Sequence, residues 1–293
     1  MGNNYWSIFG VEWCWDEDCG LHRSVRSLDP GRPSLDHGRV TLMDEWSRFL
    51  QAMEELKLLL EAVGGGEYCC LRHGLPYLRP SLLARQAFCE MQVELMLRRG
   101  VEKIVYRDER LLVEAILEAR RHLVKAPSRP RIAISIPLAA LVDSVPMLGR
   151  PDALLVEKGR IVGLVRLKIG SNRVSRSDLV RLYSYGLIVD YSPLPSKENL
   201  NLLLVIANSK TDAIGKLQAL KQAFEENKPL YRVEGVHSFA YDRGYALQML
   251  SPYLQYWVGA RDLQASPSPA KCSRCELRVE CPLHPVDQVS DQQ

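Results

Sequence analysis

Three cysteines near the C-terminus carry the most specific chemical signal in the sequence. Cys272, Cys275 and Cys281 are separated by two and five residues, and Pro282 follows the last of them. The loops between them are too tight for ordinary disulfides, whereas three thiolates can surround one metal centre that takes a fourth ligand. The spacing therefore predicts a metal site at this end of the chain, and thiolates suit either a zinc ion or an iron–sulfur cluster.

Residues 149–170 hold an acid and a lysine at the two ends of a predicted β-hairpin. Asp152 opens the first apolar, β-branched run, Lys158-Gly159 form the turn, and Lys168 closes the second run. This layout resembles the PD-(D/E)XK nuclease core, in which an aspartate and a later acid-x-lysine meet at the end of a bent hairpin. Arg166 stands in the position of the second acid.

The resemblance implies metal-dependent cleavage of phosphodiesters. Asp152 and the missing acid would be the paired oxygen ligands of Mg²⁺ or Mn²⁺, and Lys168 would position the attacking water. A guanidinium in place of a carboxylate changes the local charge by two units and repels the metal ion. Unless Glu114, Glu118 or Glu157 moves in as a substitute ligand, we expect weak or absent cleavage.

The elements that would position these residues alternate between helix and strand. Apolar residues at helical spacing predict a first helix over residues 41–63. A continuous apolar run at residues 201–207 predicts a strand that is buried on both faces. The pattern predicts an α/β fold with a mixed central sheet flanked by helices. The other predicted elements are a helix over 82–99 capped by Ser81, helices over 108–125, 178–190, 212–226 and 244–257, and strands over 131–137, 152–157, 161–167 and 231–241.

Composition limits the class of protein. The 293 residues are 46% hydrophobic and 25% charged, which is typical of a soluble globular protein. A formal net charge of +3 does not by itself indicate nucleic-acid binding, so a DNA surface would have to be a local patch. Because the chain has no membrane-length apolar run and no basic-then-apolar N-terminus, we expect a cytoplasmic protein with no membrane partner. Eight cysteines there favour metal or cluster ligation.

The cysteine pattern resembles a family of iron–sulfur exonucleases of the RecB/AddB type, above all the CRISPR-associated exonuclease "Cas four". In that family one more cysteine follows a serine-led helix start near the beginning of the domain. The stretch from Ser81 to Cys89 matches it best, and Cys69 and Cys70 are the rivals. The resemblance implies a [4Fe–4S] cluster, with zinc as the alternative. Its ligands would be Cys89, Cys272, Cys275 and Cys281.

The same resemblance, over residues 80–282, assigns roles near the hairpin. Asp152, Lys168 and Tyr185 are the expected catalytic residues, because they match the family's aspartate, lysine and glutamine-x-x-x-tyrosine motif, although Arg181 replaces the glutamine. Asp152 and His122 are the expected Mg²⁺ or Mn²⁺ ligands. Val113 is the alternative occupant of the histidine position, in which case that ligand is lost.

The resulting expectation is a DNA-binding iron–sulfur protein with a RecB-like, PD-(D/E)XK fold. It would trim or hold single-stranded DNA ends in CRISPR spacer acquisition or DNA repair, with CRISPR integrase proteins as possible partners. Arg166 and Arg181, with Lys168, Arg150 and Arg173, would grip phosphates without cutting, and Tyr185 would stack on a base. The alternative use of the arginines is salt bridging to Glu114, Glu118 or Asp152. The alternative function is an inactive scaffold that binds protein partners.

Three regions are expected from this reading. Residues 1–78 form an N-terminal extension, residues 79–264 the nuclease-fold core, and residues 265–293 the cysteine cluster and tail that packs on the core with Cys89. Cys14 and Cys19, together with Cys69 and Cys70, form either a second zinc-type site or reduced, partly buried thiols.

Overall fold

The computed structural model describes residues 7–8, 11–12, 42–68, 71–100, 109–124 and 131–283. The chain divides into two compact units, residues 1–41 and 42–293. In the first unit, strands β1 (Ser7–Ile8) and β2 (Val11–Glu12) pair antiparallel. The division lies earlier than the predicted boundary at residue 78, because helix α1 (Leu42–Gly64) buries its apolar face in the main core of the second unit.

A five-stranded mixed sheet forms the centre of the second unit. The third and fourth strands across the sheet run parallel to each other, and every other neighbouring pair is antiparallel. This confirms the predicted α/β class with a mixed sheet flanked by helices. The strands across the sheet are β3 (Arg131–Ile134), β6 (Ala153–Glu157), β7 (Arg160–Ile169), β8 (Ser196–Ala207) and β9 (Val236–Ala240).

Helices cover both faces of this sheet. Strand β8 confirms the predicted two-sided burial, because Leu202 and Leu204 belong to the main core while Leu203 and Val205 face a second apolar cluster with Phe224. The main core lies under α1, α2 (Pro80–Phe88), α5 (Arg176–Tyr191) and α7 (Arg243–Trp257), and the second cluster lies under α6 (Lys210–Glu225).

The predicted hairpin is formed by β6 and β7, which pair antiparallel with a bulge at Leu155/Val156. Its turn residues Lys158 and Gly159 have φ angles of 48° and 69°, the conformation of a tight hairpin turn. A Cβ atom at Gly159 would lie 2.4 Å from the backbone oxygen of Glu45, so glycine also permits the close approach of α1. Helix α1 thus packs at the turn end of the hairpin, and the candidate site lies at the opposite end, where Asp152 precedes β6.

One of the predicted helices consists of two separate helices in the structure. The stretch predicted as a single helix over 82–99 breaks at Cys89, whose φ of −162° and ψ of 120° are extended, into α2 and α3 (Glu90–Arg98). The predicted cap, Ser81, lies inside α2, which begins at Pro80. Periodicity did not show the break, because the apolar spacing continues across it.

A small second sheet was not predicted. Strands β4 (Leu138–Val142) and β5 (Val145–Gly149) form a buried hairpin, and Leu78 bridges to Met147 beside it. The strand predicted over 231–241 is shorter, because residues Leu230–Arg232 form a 3-10 turn before β9. The remaining helices are α4 (Glu109–Val124) and α8 (Pro269–Cys272). Among the residues that the structure describes, no helix is both long and apolar enough to cross a membrane.

Candidate functional site

Asp152 lies at the open end of the β6/β7 hairpin. Its backbone N–H donates to the oxygen of Val165 at 3.0 Å, which extends the ladder by one residue and fixes the side chain. Its carboxylate accepts a hydrogen bond from the Leu167 N–H at 2.7 Å and is bonded by the guanidinium of Arg166. The residue in the position of the second acid therefore neutralises the first acid, with both side chains less than one-third exposed.

Lys168 is engaged away from Asp152. Its Nζ donates to Asp178 Oδ2 at 2.6 Å and to the Arg173 oxygen at 2.7 Å. Asp178 in turn closes the capping box of α5 with Ser175. Burial, the largest influence, raises the pKa of Asp178, but hydrogen bonds from Lys168 and Ser175 outweigh it and the pKa is lowered. Lys168 thus ties the end of β7 to the start of α5.

Arg181 and Tyr185 come from the same side of α5, as their spacing predicts. Tyr185 is 3% exposed and its hydroxyl donates to the Arg150 oxygen at 2.9 Å. A Cβ at Gly149 would lie 2.8 Å from the Tyr185 ring, so the ring is packed against the end of β5. The predicted stacking of Tyr185 on a base does not fit this burial, because neither ring face is open.

Arg181 is a half-buried cation. Burial lowers the pKa of its guanidinium, and the charge of Arg166 lowers it further, against smaller opposing effects of Tyr185 and Asp152. Its Nε is buried without a hydrogen-bond partner among the described residues. We call Asp152, Arg166, Lys168, Asp178, Arg181 and Tyr185 the hairpin-end centre.

Arg181 also lines an open groove. The groove runs between α2, α3, the start of α5 and the segment that holds Cys272 and Cys275, and arginines outnumber acids along it. Both acids are already paired, Asp178 with Lys168 and Glu276 with Arg85 at 3.3 Å. We call this the arginine groove, and its charged lining residues are Arg79, Arg85, Arg99, Arg181, Arg274, Asp178 and Glu276.

The four predicted cluster ligands line one cavity. Cys89, at the break between α2 and α3, meets Cys272, Cys275 and Cys281 from the C-terminal segment there. All four thiols are free and partly buried. Apolar side chains, among them Phe88, form much of the remaining wall. The structure therefore brings together residues that lie more than 180 positions apart in the sequence.

The backbone of the C-terminal segment hydrogen-bonds one of these thiols, that of Cys275, whose pKa is nevertheless raised overall. Burial raises the pKa of the Cys275 thiol, while a hydrogen bond from the Leu277 N–H acts to lower it. The other three thiols also act on that pKa by their charge, which shows their proximity. Within the described parts of the chain, no three His, Cys, Asp or Glu side chains stand close enough to form a ready-made metal site. The donor set fits a thiolate-bound group in kind, because four soft sulfur donors line one cavity, and these would have to draw closer together to bind it.

Ion pairs dock the C-terminal segment on α2 and α3. Glu90 is 3% exposed and receives both Nη atoms of Arg261, at 2.9 and 2.8 Å, and the Gln264 N–H at 2.7 Å. Arg85 pairs with Glu276, and Arg99 pairs with Glu280. Sequence reasoning missed these pairs, since nothing in the sequence connects residues so far apart.

The other predicted residues have different outcomes. Glu157, one of the proposed substitute ligands, sits at the turn end of the hairpin, where hydrogen bonds from Lys197 and from Arg131, at 2.8 Å, hold its pKa low despite burial. It therefore does not replace the missing acid. The side chain of His122 on α4 lies outside the described residues, as do Cys14, Cys19, Cys69 and Cys70. Val113, the alternative to His122, is half-buried on α4.

Comparisons with known proteins give little similarity. No family model matches the sequence, and no curated protein matches it. Among solved structures, the crystal structure of SSO0001 aligns with 77% of this chain and 95% of its own, at 11% sequence identity and a TM-score of 0.34. A likeness at that level assigns neither a family nor a function to this chain.

Proposed function

We propose that this protein binds single-stranded DNA in the arginine groove and carries an iron–sulfur cluster on its four cavity cysteines. In this proposal the fold is of the RecB-like, PD-(D/E)XK type, and the protein holds DNA ends with little or no cleavage. The role would be in CRISPR spacer acquisition or repair, beside integrase proteins. The observation that carries the proposal is the groove itself, which runs from the hairpin-end centre to the cysteine segment.

The groove has the charge that a nucleic-acid backbone requires. Five arginines line the groove with two acids, so the lining is net positive even though Arg85 pairs with Glu276 and Arg99 with Glu280. Arginine binds phosphate oxygens through two parallel N–H groups, which makes it well suited to a charged strand. A flexible single strand can follow an open, positively charged groove along its backbone. The contacts would be to phosphates and would therefore carry little sequence preference.

The hairpin-end centre supports weak or absent cleavage. A cation bound at Asp152 would either displace the guanidinium of Arg166 or lie next to its positive charge. At ~5 Å and an effective dielectric of ~20, the unit charge of Arg166 costs a divalent ion about 7 kcal/mol at most. Lys168 is also committed to Asp178 and to the Arg173 oxygen. Neither a pair of acids nor a free lysine is therefore available in the observed arrangement of these residues.

The cluster has a structural role in this proposal. Cys89, Cys272, Cys275 and Cys281 would hold it, and when bound it supplies metal–thiolate bonds that cross-link the two segments. The protein provides the apolar wall, the Leu277 N–H bond to Cys275 and the ion pairs at Glu276 and Glu280. These hold the C-terminal segment against α2 and α3, which form one side of the groove.

The test is a binding titration with a fluorescein-labelled single-stranded oligonucleotide, on anaerobically purified protein, at several salt concentrations. We expect binding that weakens with salt, and Arg274→Glu to weaken it by about tenfold. The matched control is Arg160→Glu, which makes the same charge change at an exposed residue of the hairpin turn. Iron content is measured on each variant. Salt-insensitive or absent binding by the wild type would contradict the proposal and favour the protein-binding scaffold.

A further inference from the structure

The hairpin-end centre has more positive than negative charge. Among the described residues, Arg166, Lys168 and Arg181 face only two carboxylates, those of Asp152 and Asp178. Arg166 is paired with Asp152 and Lys168 with Asp178. Tyr185 is the remaining neighbour of Arg181, and it offers a hydroxyl hydrogen bond but no carboxylate. The surplus charge therefore lies on Arg181.

The surplus positive charge on Arg181 lowers the stability of the fold at this position. The Nε of Arg181 is buried without a partner in the described part of the chain, and burying an unsatisfied charged donor is unfavourable. Arg166 lies close enough to add repulsion. A protein gains stability at such a position when an anion arrives, because the anion offsets both the desolvation and the repulsion. Since Arg181 lines the arginine groove, an anion can reach it from solvent.

We infer that Arg181, supported by Arg166, forms a phosphate-binding subsite in the arginine groove, in place of a divalent metal ion. The inference rests on the proposed function where it concerns DNA, whose backbone phosphate is then the ligand. Arg166 stays bonded to Asp152, which fixes its guanidinium, and Arg181 supplies the unpaired charge. The phosphate is neutralised by guanidinium groups, so binding at this subsite needs no Mg²⁺ or Mn²⁺.

A phosphate fits better than the alternatives. A carboxylate ligand would satisfy the charge, but the rest of the groove is lined by further arginines, which suits a chain of phosphates. A divalent cation would meet the repulsion of two arginines.

The first experiment uses inorganic phosphate as the probe and needs no DNA. Melting temperature is measured in sodium phosphate and in sodium chloride of equal ionic strength, with EDTA present. At tenfold excess over the dissociation constant we expect phosphate to raise the melting temperature by about 2–3 °C. Arg181→Gln should abolish that increase while melting no lower than the wild type in chloride, since it removes an unpaired charge. Arg160→Gln should retain the increase.

A merely structural Arg181 would give the opposite pattern, a lower melting temperature in chloride for Arg181→Gln. That result, or an equal phosphate effect in Arg181→Gln and wild type, would overturn the subsite. Arg181→Lys keeps the charge but loses the planar fork, and it guards against a Gln variant that fails to fold. We expect it to fold and to keep only part of the phosphate effect, whereas the full wild-type effect would again overturn the subsite.

The second experiment uses the labelled oligonucleotide in EDTA. Arg181→Gln should bind about tenfold more weakly. The slope of the logarithm of the binding constant against the logarithm of the salt concentration should be shallower by about 0.7, as expected for one lost phosphate contact on a single strand. Arg160→Gln should bind as the wild type does. If the wild type binds DNA and Arg181→Gln binds equally well, the subsite fails and the proposed function stands. If the wild type binds no DNA but keeps an Arg181-dependent phosphate effect, the proposed function fails and the subsite stands.

Discussion

The cysteine cavity and the hairpin-end centre differ in whether their reactive groups remain available. In the cavity, four free thiols from two distant segments face a common space. In the hairpin-end centre, the acid is bonded by Arg166 and the lysine by Asp178. The fold thus positions both sets of side chains, yet only one set is left open to an external group. Positioning residues and leaving them free for chemistry are separate properties, and the second depends on their neighbours.

The proposed cluster would give the cysteine cavity the larger stabilising role, and Cys272→Ser tests this most strongly. We expect loss of iron and a melting temperature lower by about 15 °C, because structural thiolate–metal sites contribute about 10 kcal/mol in small domains and part of the docking here survives through ion pairs. Iron analysis and thermal melting measure both effects. Val279→Ala, at a side chain 90% exposed in the same segment, is the control. An iron-free variant with an unchanged melting temperature would contradict the role.

The buried pair beside the cavity gives the next largest effect. Arg261→Met leaves the carboxylate of Glu90, 3% exposed, without its bidentate partner. We expect a loss of about 3 kcal/mol in urea unfolding, because the uncompensated buried charge is costly. Adding Glu90→Gln should recover much of it, since no charge then remains. Arg243→Met, which breaks the more exposed pair with Asp190, should cost less than about 1 kcal/mol. Equal losses of unfolding free energy for Arg261→Met and Arg243→Met would contradict the conclusion that burial makes the Glu90 pair important.

At the hairpin end, Lys168 is expected to act through Asp178. Lys168→Met should cost about 2 kcal/mol near pH 7, as lost hydrogen bonds between charged groups do. The folded pKa of Asp178 is below its ordinary value, so its contribution is present above about pH 4 and is lost as pH falls through the folded pKa. The cost should therefore shrink at low pH. Urea unfolding is compared with Lys221→Met, whose pair with Glu225 is more exposed. A cost independent of pH would indicate lost packing instead.

The sequence was sufficient for elements whose signal is local. Alternating apolar residues around Lys158-Gly159 predicted the hairpin, because glycine and a positive-φ residue define that turn. The two-sided burial of β8 also followed from its continuous apolar run. The break at Cys89 did not, since the apolar spacing of α2 continues into α3. The hairpin of β4 and β5 was missed because its buried strands lack alternation.

For the sites, residue identity was predictable and pairing was not. Cysteine spacing located the C-terminal donors, and the family resemblance supplied Cys89 as the fourth. The sequence could place Arg166 beside Asp152, because the two predicted strands of the hairpin are adjacent. It could not show that the side chain of Lys168 would pair with Asp178. That choice depends on where α5 begins in space. The pair of Glu90 and Arg261 likewise depends on tertiary packing between segments 171 residues apart.

The smallest expected effect distinguishes a neutralised acid from a catalytic one, and it comes from Asp152→Asn. A catalytic Asp152 predicts loss of metal-dependent cleavage with little change in stability. The observed contacts predict instead a stability loss of about 1 kcal/mol, from weaker bonds to Arg166 and the Leu167 N–H. They also predict binding of single-stranded DNA about two- to threefold tighter, because one negative charge is removed beside Arg181. Urea unfolding and the oligonucleotide titration measure these changes, with Asp143→Asn at the β4/β5 turn as the charge-matched control. Cleavage that the wild type performs and Asp152→Asn abolishes would show that Arg166 leaves the acid during the reaction.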